Sequence, residues 1–150
     1  MCIHTHQTKQ LLRLRMVNKI FMEDKMPKFD TIHVKKPWGG EVIFAHNERY
    51  VGKILHIKEG HRLSKQFHKV KDETIFVIEG RLQVEIGEGV DSQVMILRKG
   101  DAYHITPGTI HRFCAHCNQD VRLFEVSTPE LDDVVRLEDD YDREISVSKT

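Results

Sequence analysis

The sequence predicts an all-β chain folded as an antiparallel two-sheet barrel of jelly-roll type, and three observations carry the prediction. Short segments rich in β-branched and aromatic residues recur at 41–46, 51–58, 74–79, 82–86, 93–98, 102–106, 110–115 and 121–127. Several alternate: Leu82, Val84 and Ile86 are separated by Gln83 and Glu85, which puts apolar side chains on one face of a strand and polar ones on the other. Gly, Asp, Asn or Pro fills the gaps, with no long helical period between them, so the pattern speaks against parallel βαβ units. A sheet apolar on one face needs a second sheet or closure on itself, and a jelly roll supplies both.

Composition sets the limits. The 150 residues suffice for one domain with its own core. Hydrophobic residues make up 39% and charged ones 31%, the balance of a soluble globular domain. With 23 basic against 23 acidic residues, formal net charge is +0, so no global basic surplus speaks for nucleic acid. No apolar run approaches the length that crosses a membrane. Cys2, Cys114 and Cys117 are too few and too odd in number for a disulfide framework, so a reducing cytoplasm is the expected location.

In chain order, residues 1–25 read as an N-terminal extension, disordered or weakly helical. Arg13 and Arg15 break its apolar run, no small-residue cleavage site follows, and Met26 is a natural start for the domain at 26–150. His4 and His6 belong to this extension. Residues 35–41 form a turn rich in breakers, and Trp38 within it serves either as an aromatic plug of the barrel end or as a stacking face for a sugar ring. The tail at 129–150 is acidic and reads as a solvated cover or a short helix. Cys114 and Cys117 form a C-x-x-C, but no second pair exists for a zinc ribbon and the pair follows a strand rather than opening a helix, so two incidental thiols are expected.

The chemistry gathers in two stretches. Gln66 and His68 are one residue apart, so in an extended segment both point to one face, and Glu73 stands where the strand at 74–79 begins. The second stretch, Gly100 to His111, offers a further donor in His111. Two imidazoles, a carboxylate and an amide oxygen are competent ligands for a divalent first-row metal, and zinc tolerates the mixture. The alternative is a metal-free barrel in which these side chains only hydrogen-bond one another.

Gly60, His68, Glu73 and Gly80, then Gly100, Gly108 and His111, match the two-part pattern G-x5-H-x-H-x4-E-x6-G and G-x5-P-x-G-x2-H. On these residues the chain resembles the cupin superfamily, which implies the same barrel. Gln66 stands where the first histidine is usual, and Thr106 takes the proline position with Pro107 displaced by one. Gln-x-His before the glutamate is the form of the phosphomannose isomerase branch. There a cupin domain follows a mannose-1-phosphate guanylyltransferase domain in bifunctional enzymes. The likeness runs from about Val34 to Glu144 and includes Lys36 to Gly39 (K-P-W-G), Arg62 to His68 (R-L-S-K-Q-F-H) and Val135 to Arg143 (V-R-L-E-D-D-Y-D-R). No glycine-rich nucleotide loop precedes Lys35, Lys69 and Val70 replace a run of histidines, and Asp142 replaces a glycine. These departures bear on the substrate.

The resemblance implies an aldose–ketose isomerase, similar to mannose-6-phosphate isomerase, that acts on a sugar phosphate through an enediol. Gln66, His68, Glu73 and His111 are then the metal ligands, for zinc first, with cobalt, manganese, iron or nickel competent at the same donors. Arg62 is expected to clamp the phosphate or the enediolate, and Lys71, two residues before Glu73, to shuttle a proton or bind phosphate. Arg136 and Arg143 close the pocket from the tail, and His104, His61 and Glu41 are further base candidates. A homodimer is expected by the same resemblance. Three other readings fit the barrel: a metal-dependent dioxygenase, a non-catalytic module that binds a sugar or sugar nucleotide, and a different sugar isomerase or epimerase.

Overall fold

The predicted strands all form, each within one or two residues of its predicted ends. The computed structural model describes residues 28–145, so the N-terminal extension at 1–25, with His4 and His6, lies outside the described residues. The chain divides between Asp30 and Thr31, and the unit from Thr31 to Thr150 carries the strands. In chain order they are β1 (Ile32–Lys36), β2 (Gly39–His46), β3 (Val51–Ile57), β4 (Lys65–Phe67), β5 (Glu73–Glu79), β6 (Arg81–Ile86), β7 (Gln93–Arg98), β8 (Ala102–Ile105), β9 (His111–Ala115), β10 (Val121–Ser127) and β11 (Val135–Glu138). A single 3-10 turn at Gly89–Asp91 is the only helical element among the described residues, and no helix there is long and apolar enough to cross a membrane.

Two antiparallel sheets result. One runs β1-β2-β3-β10-β5-β8 and the other β11-β4-β9-β6-β7. Three strands escaped the sequence reading. β1 is half polar and pairs only with β2 across the Pro37–Trp38 turn, β4 has three residues, and β11 lies in the acidic tail. The tail therefore is not a short helix: Val135 and Arg136 pair with Phe67 and Gln66, so part of it is an edge strand of the second sheet.

The interior has an apolar end and a polar end, and each central strand crosses from one to the other. On β10 the inward residues are Val121, Leu123, Glu125 and Ser127; on β3 Ile57 and Leu55 give way to Lys53; on β5 Val77 and Ile75 give way to Glu73; on β9 Phe113 is followed inward by His111. The apolar halves pack into one core with Trp38, Leu82, Val84 and Ile105. Full burial of each such side chain contributes about 1.5–3 kcal/mol, so this half anchors the sheets over the polar half. The chain changes sheets after β5 at Gly80, whose φ is 82° and where a Cβ would lie 2.3 Å from the Asp120 carbonyl oxygen. Only glycine fits there.

Candidate metal centre and cavity

At the polar end three side chains converge. His68, Glu73 and His111 are each buried, and each offers a ligand atom within 4.8 Å of the others. His68 Nε2 lies 3.5 Å from Glu73 Oε2 and His111 Nε2 lies 3.3 Å from Glu73 Oε1. The rings are oriented from behind. His111 Nδ1 donates to the Thr109 carbonyl at 2.9 Å, and His68 Nδ1 donates to the Asp133 carbonyl. In a neutral ring so bonded, Nε2 carries the lone pair. Both Nε2 atoms are buried and have no hydrogen-bond partner among the described residues. Two lone pairs thus face a carboxylate, an arrangement that is repulsive until a cation or protons enter it. The residues fit a divalent ion by this test and by donor type.

Asp133 fixes the loop that carries these ligands, and sequence reasoning missed it. Its carboxylate accepts from the backbone N–H groups of Lys69, Val70 and Lys71 at 3.0, 2.7 and 2.8 Å. Burial pushes this carboxyl up, but those three N–H groups outweigh it and hold the Asp133 carboxyl below its ordinary value.

Gln66 pairs in register with His111, which places both side chains on one face, and it lines the same cavity. Its Oε1 accepts the Ser64 hydroxyl at 2.7 Å and retains a second lone pair. The cavity measures about 450 Å³ and opens between β1, β2 and β3 on one side and the segment 131–143 on the other. That is room for a small ligand.

A row of alternating charges crosses its wall. Lys36 lies 3.2 Å from Glu41, Glu41 3.9 Å from Lys53, Lys53 3.6 Å from Glu125, Glu125 2.6 Å from Lys71, and Lys71 2.5 Å from Glu73. Lys53 and Glu125 were not among the predicted residues. Their signal was present: each is a charged residue at an inward position of an alternating strand, Lys53 between Val51 and Leu55 and Glu125 two after Leu123. Burial disfavours the Lys71 ammonium, but the charges and hydrogen bonds of Glu125 and Glu73 outweigh it and raise its pKa above the ordinary lysine value. For Glu73, burial pushes the carboxyl up, while the facing His111 and His68 rings, where protonated, and the charge of Lys71 hold it well below the usual range. The rings' share requires a proton on Nε2. Neutral rings with Nδ1–H spent on carbonyls lack it, so in that tautomer Lys71 supplies the lowering.

The other predicted residues separate into those the structure brings to the cavity and those it does not. Trp38 lines the cavity but is only 3% exposed and belongs to the core, which is the plug placement. Arg136 lines the cavity from β11. Arg143 lines it too, with its Nε 3.0 Å from Asp139 Oδ1 and its guanidinium over the Tyr141 ring. Arg62 is a correction. It is absent from the lining, where its neighbour Leu63 stands, and its guanidinium is taken by Asp140 through Nε and Nη2 at 2.6 and 3.1 Å. His61 stacks on Tyr141 and His104 pairs with Asp72, both away from the cavity lining, whereas Glu41 is on it. Cys114 is buried in β9 and Cys117 is exposed beyond it; burial, then Glu85, pushes the Cys114 thiol up to about 12, which suits an inert side chain.

With this geometry in view, the comparison with known proteins is direct. The family model described as the C-terminal part of mannose-6-phosphate isomerase matches residues 23–139. The chain belongs to this family. Its relatives include the xanthan biosynthesis protein XanB of Xanthomonas campestris pv. campestris, 31% identical over 73% of this chain and 23% of that protein. They also include the mannose-1-phosphate guanylyltransferase ManC of Salmonella typhimurium, 31% identical over 86% of this chain and 27% of that protein. The chain therefore spans about a quarter of the length of the curated relatives it matches. Among solved structures, KdgF from Halomonas sp. aligns over 70% of this chain and 90% of that chain, with a TM-score of 0.58 and 25% identity. A protein with a double-stranded β-helix domain from Klebsiella pneumoniae aligns over 80% and 95%, with a TM-score of 0.57 and 18% identity, which shows the shared fold. The chain is thus a cupin domain of the mannose-6-phosphate isomerase C-terminal family.

Within this cupin the tail sequence from Val135 to Arg143 acquires a physical account. Glu138 pairs with Arg112 at 3.2 Å and with Lys65 at 3.8 Å, and Asp140 takes Arg62. The Tyr141 hydroxyl accepts from the Arg62 backbone N–H, and Asp139 holds Arg143. The segment is a strap tied by charge across the second sheet, and it delivers Arg136 and Arg143 to the cavity.

Proposed function

We propose that this cupin is a metal-dependent aldose–ketose isomerase acting on a sugar phosphate, of the mannose-6-phosphate isomerase kind. The observation that carries the reading is the pair of buried, unpartnered Nε2 atoms facing Glu73 at the foot of a polar cavity with lysines and arginines on its wall. His68, Glu73 and His111 hold the ion, with Gln66 as fourth donor, and zinc suits the set. A divalent cation there supplies Lewis-acid stabilisation of the negative charge that develops on substrate oxygen as the proton beside the carbonyl is removed.

The chain's own residues do the rest. The Lys71 ammonium, held charged by two carboxylates, stands beside the site and favours an enediolate over a neutral ground state. A group that keeps its proton this firmly is an electrostatic partner rather than a resting base. Arg143 and Arg136 face the substrate from the strap and take its phosphate, a role suited to a planar guanidinium. Trp38 and Leu55 exclude water from the inner wall.

The test is interconversion of mannose 6-phosphate and fructose 6-phosphate by the purified chain with added zinc or cobalt. Turnover that disappears on chelation and in His111→Ala supports the reading, and no interconversion with either metal rejects it. A second reading draws on the relatives named as guanylyltransferases: a non-catalytic module that binds a sugar phosphate or sugar nucleotide. It predicts saturable binding without turnover, unaffected by His68→Ala.

A further inference from the structure

An isomerase of this kind needs a group that lifts a proton from one carbon and returns it to the next, and a carboxylate whose lone pairs are not committed to the ion is the better base. Four carboxylates line the cavity: Glu41, Glu73, Glu125 and Asp132. Glu73 belongs to the ligand triad. Asp132 lies on an exposed loop. Glu41 sits on β2, three strands across the sheet from β5, and pairs with Lys36 at the mouth. Glu125 is different. It lies on β10, hydrogen-bonded directly to β5, and a single lysine nitrogen separates it from Glu73, at 2.6 Å on one side and 2.5 Å on the other.

Its position is costly for the fold. Glu125 is 5% exposed, and its inward neighbours on the same strand are Leu123 and Ser127, with Ile75 opposite. An apolar residue there would extend the core, while a buried carboxylate must be compensated by charge. Lys71 and Lys53 both approach it through Oε1, so neither lysine depends on Oε2. We infer that Glu125 is the catalytic carboxylate that carries the proton between the two adjacent carbons of the substrate, on the strength of its place beside the ligand triad. This rests on the isomerase reading above and adds to it the base that the sequence motifs leave unassigned.

The step balances without a co-reactant. From the open-chain aldose, the C2–H bond breaks and its proton goes to the Glu125 carboxylate. The C–H electron pair becomes the C1=C2 bond, and the C1=O π pair moves to O1. The O2 hydroxyl proton passes to O1 as C2=O forms. The C1=C2 pair then takes the proton back from Glu125 at C1, giving the ketose. Nothing is oxidised or reduced overall beyond the exchange between C1 and C2.

The test uses the zinc-loaded chain with Glu125→Gln and Glu125→Asp, mannose 6-phosphate as substrate, and D2O as solvent. Trp38 is the one tryptophan of the sequence and lines the same cavity, so its fluorescence reads mannose 6-phosphate binding separately from turnover. Glu125→Gln is expected to lose about 100-fold or more in kcat and to lose deuterium wash-in at the exchanging carbon, with binding unchanged. Glu125→Asp, which keeps the charge on a shorter arm, is expected to fold, to lower kcat and to leave KM in place. The inference is overturned if Glu125→Gln keeps a tenth of wild-type turnover, or if it loses binding together with turnover. Should Glu125→Gln fail to fold, unchanged kcat in Glu125→Asp overturns it. A wild-type chain that turns over while the variants match it rejects only Glu125; a wild-type chain that does not turn over rejects the isomerase reading as a whole.

Discussion

Removing the Lys71 ammonium gives a test whose sign and size both follow from the structure. Lys71→Met keeps most of the side-chain volume and deletes the charge that lies between Glu73 and Glu125. All three groups are about 95% covered or more. Breaking a buried ion pair by deleting one partner costs about 3–5 kcal/mol, because the remaining charge stays buried without compensation. Here Glu73 loses its ammonium partner while Glu125 keeps Lys53 at 3.6 Å, so the lower part of that range applies, and a domain of this size should lose roughly 6–15 °C of melting temperature. The pH dependence separates this cause from simple loss of packing. In wild-type protein the Glu73 carboxyl is held well below its ordinary value of 4.5. Its contribution is thus present above the unfolded pKa and lost only as pH falls through the folded one. Lys71, raised above 10.5, contributes stability that is present below that value and lost as pH rises through the folded one. Wild-type stability should therefore be insensitive to these two groups between pH 7 and 5. In the variant, burial without an ammonium beside it raises the Glu73 carboxyl, so acidification protonates it and relieves the penalty. Urea unfolding of metal-free protein at pH 7 and pH 5 reads the difference. A gap that shrinks toward pH 5 is expected. A variant within about 1 kcal/mol of wild type at pH 7, or a gap that does not shrink, would refute the argument.

Other expectations follow from individual contacts. Asp133→Ala removes a carboxylate that accepts three backbone N–H bonds and should cost about 1–3 kcal/mol, with metal affinity falling as well because the His68 loop is released; unfolding and metal titration check both. Arg62→Gln should change stability by about 1 kcal/mol or less and leave isomerase KM in place, since its ion pair with Asp140 is an exposed one. Arg143→Gln should raise KM for the sugar phosphate about tenfold, the loss of one charge-assisted contact, with bound metal unchanged. Steady-state kinetics on the two variants side by side decides which arginine meets the substrate.

Much of the barrel could be read from the sequence because alternation is a local signal. Residues 82–86 and 121–127 announce their buried face by every second side chain, and both became strands with that face inward. β4 and β11 were not legible for the opposite reason: three or four residues of mixed polarity form strands only because neighbouring strands supply the hydrogen bonds, β11 and β9 for β4 and β4 alone for β11. The convergence of His68, Glu73 and His111 followed the spacing of the two motifs. Arg62 did not follow it, because proximity in sequence to His68 says nothing about which face of the loop faces the cavity, and Asp140, 78 residues away, decides that. Lys53 and Glu125 went unnoticed although charged residues at inward strand positions mark a polar interior as clearly as a histidine pair does. Asp133 could not have been found locally at all, since its three partners lie more than 60 residues earlier in the chain.

The account turns on whether the two imidazoles and Glu73 close on one cation. Titrating the metal-free chain with cobalt(II) and following its visible absorbance measures this directly. One equivalent per chain, displaced by zinc and abolished in His111→Ala, is the predicted result. No saturable absorbance, or saturation that survives His111→Ala unchanged, would contradict it.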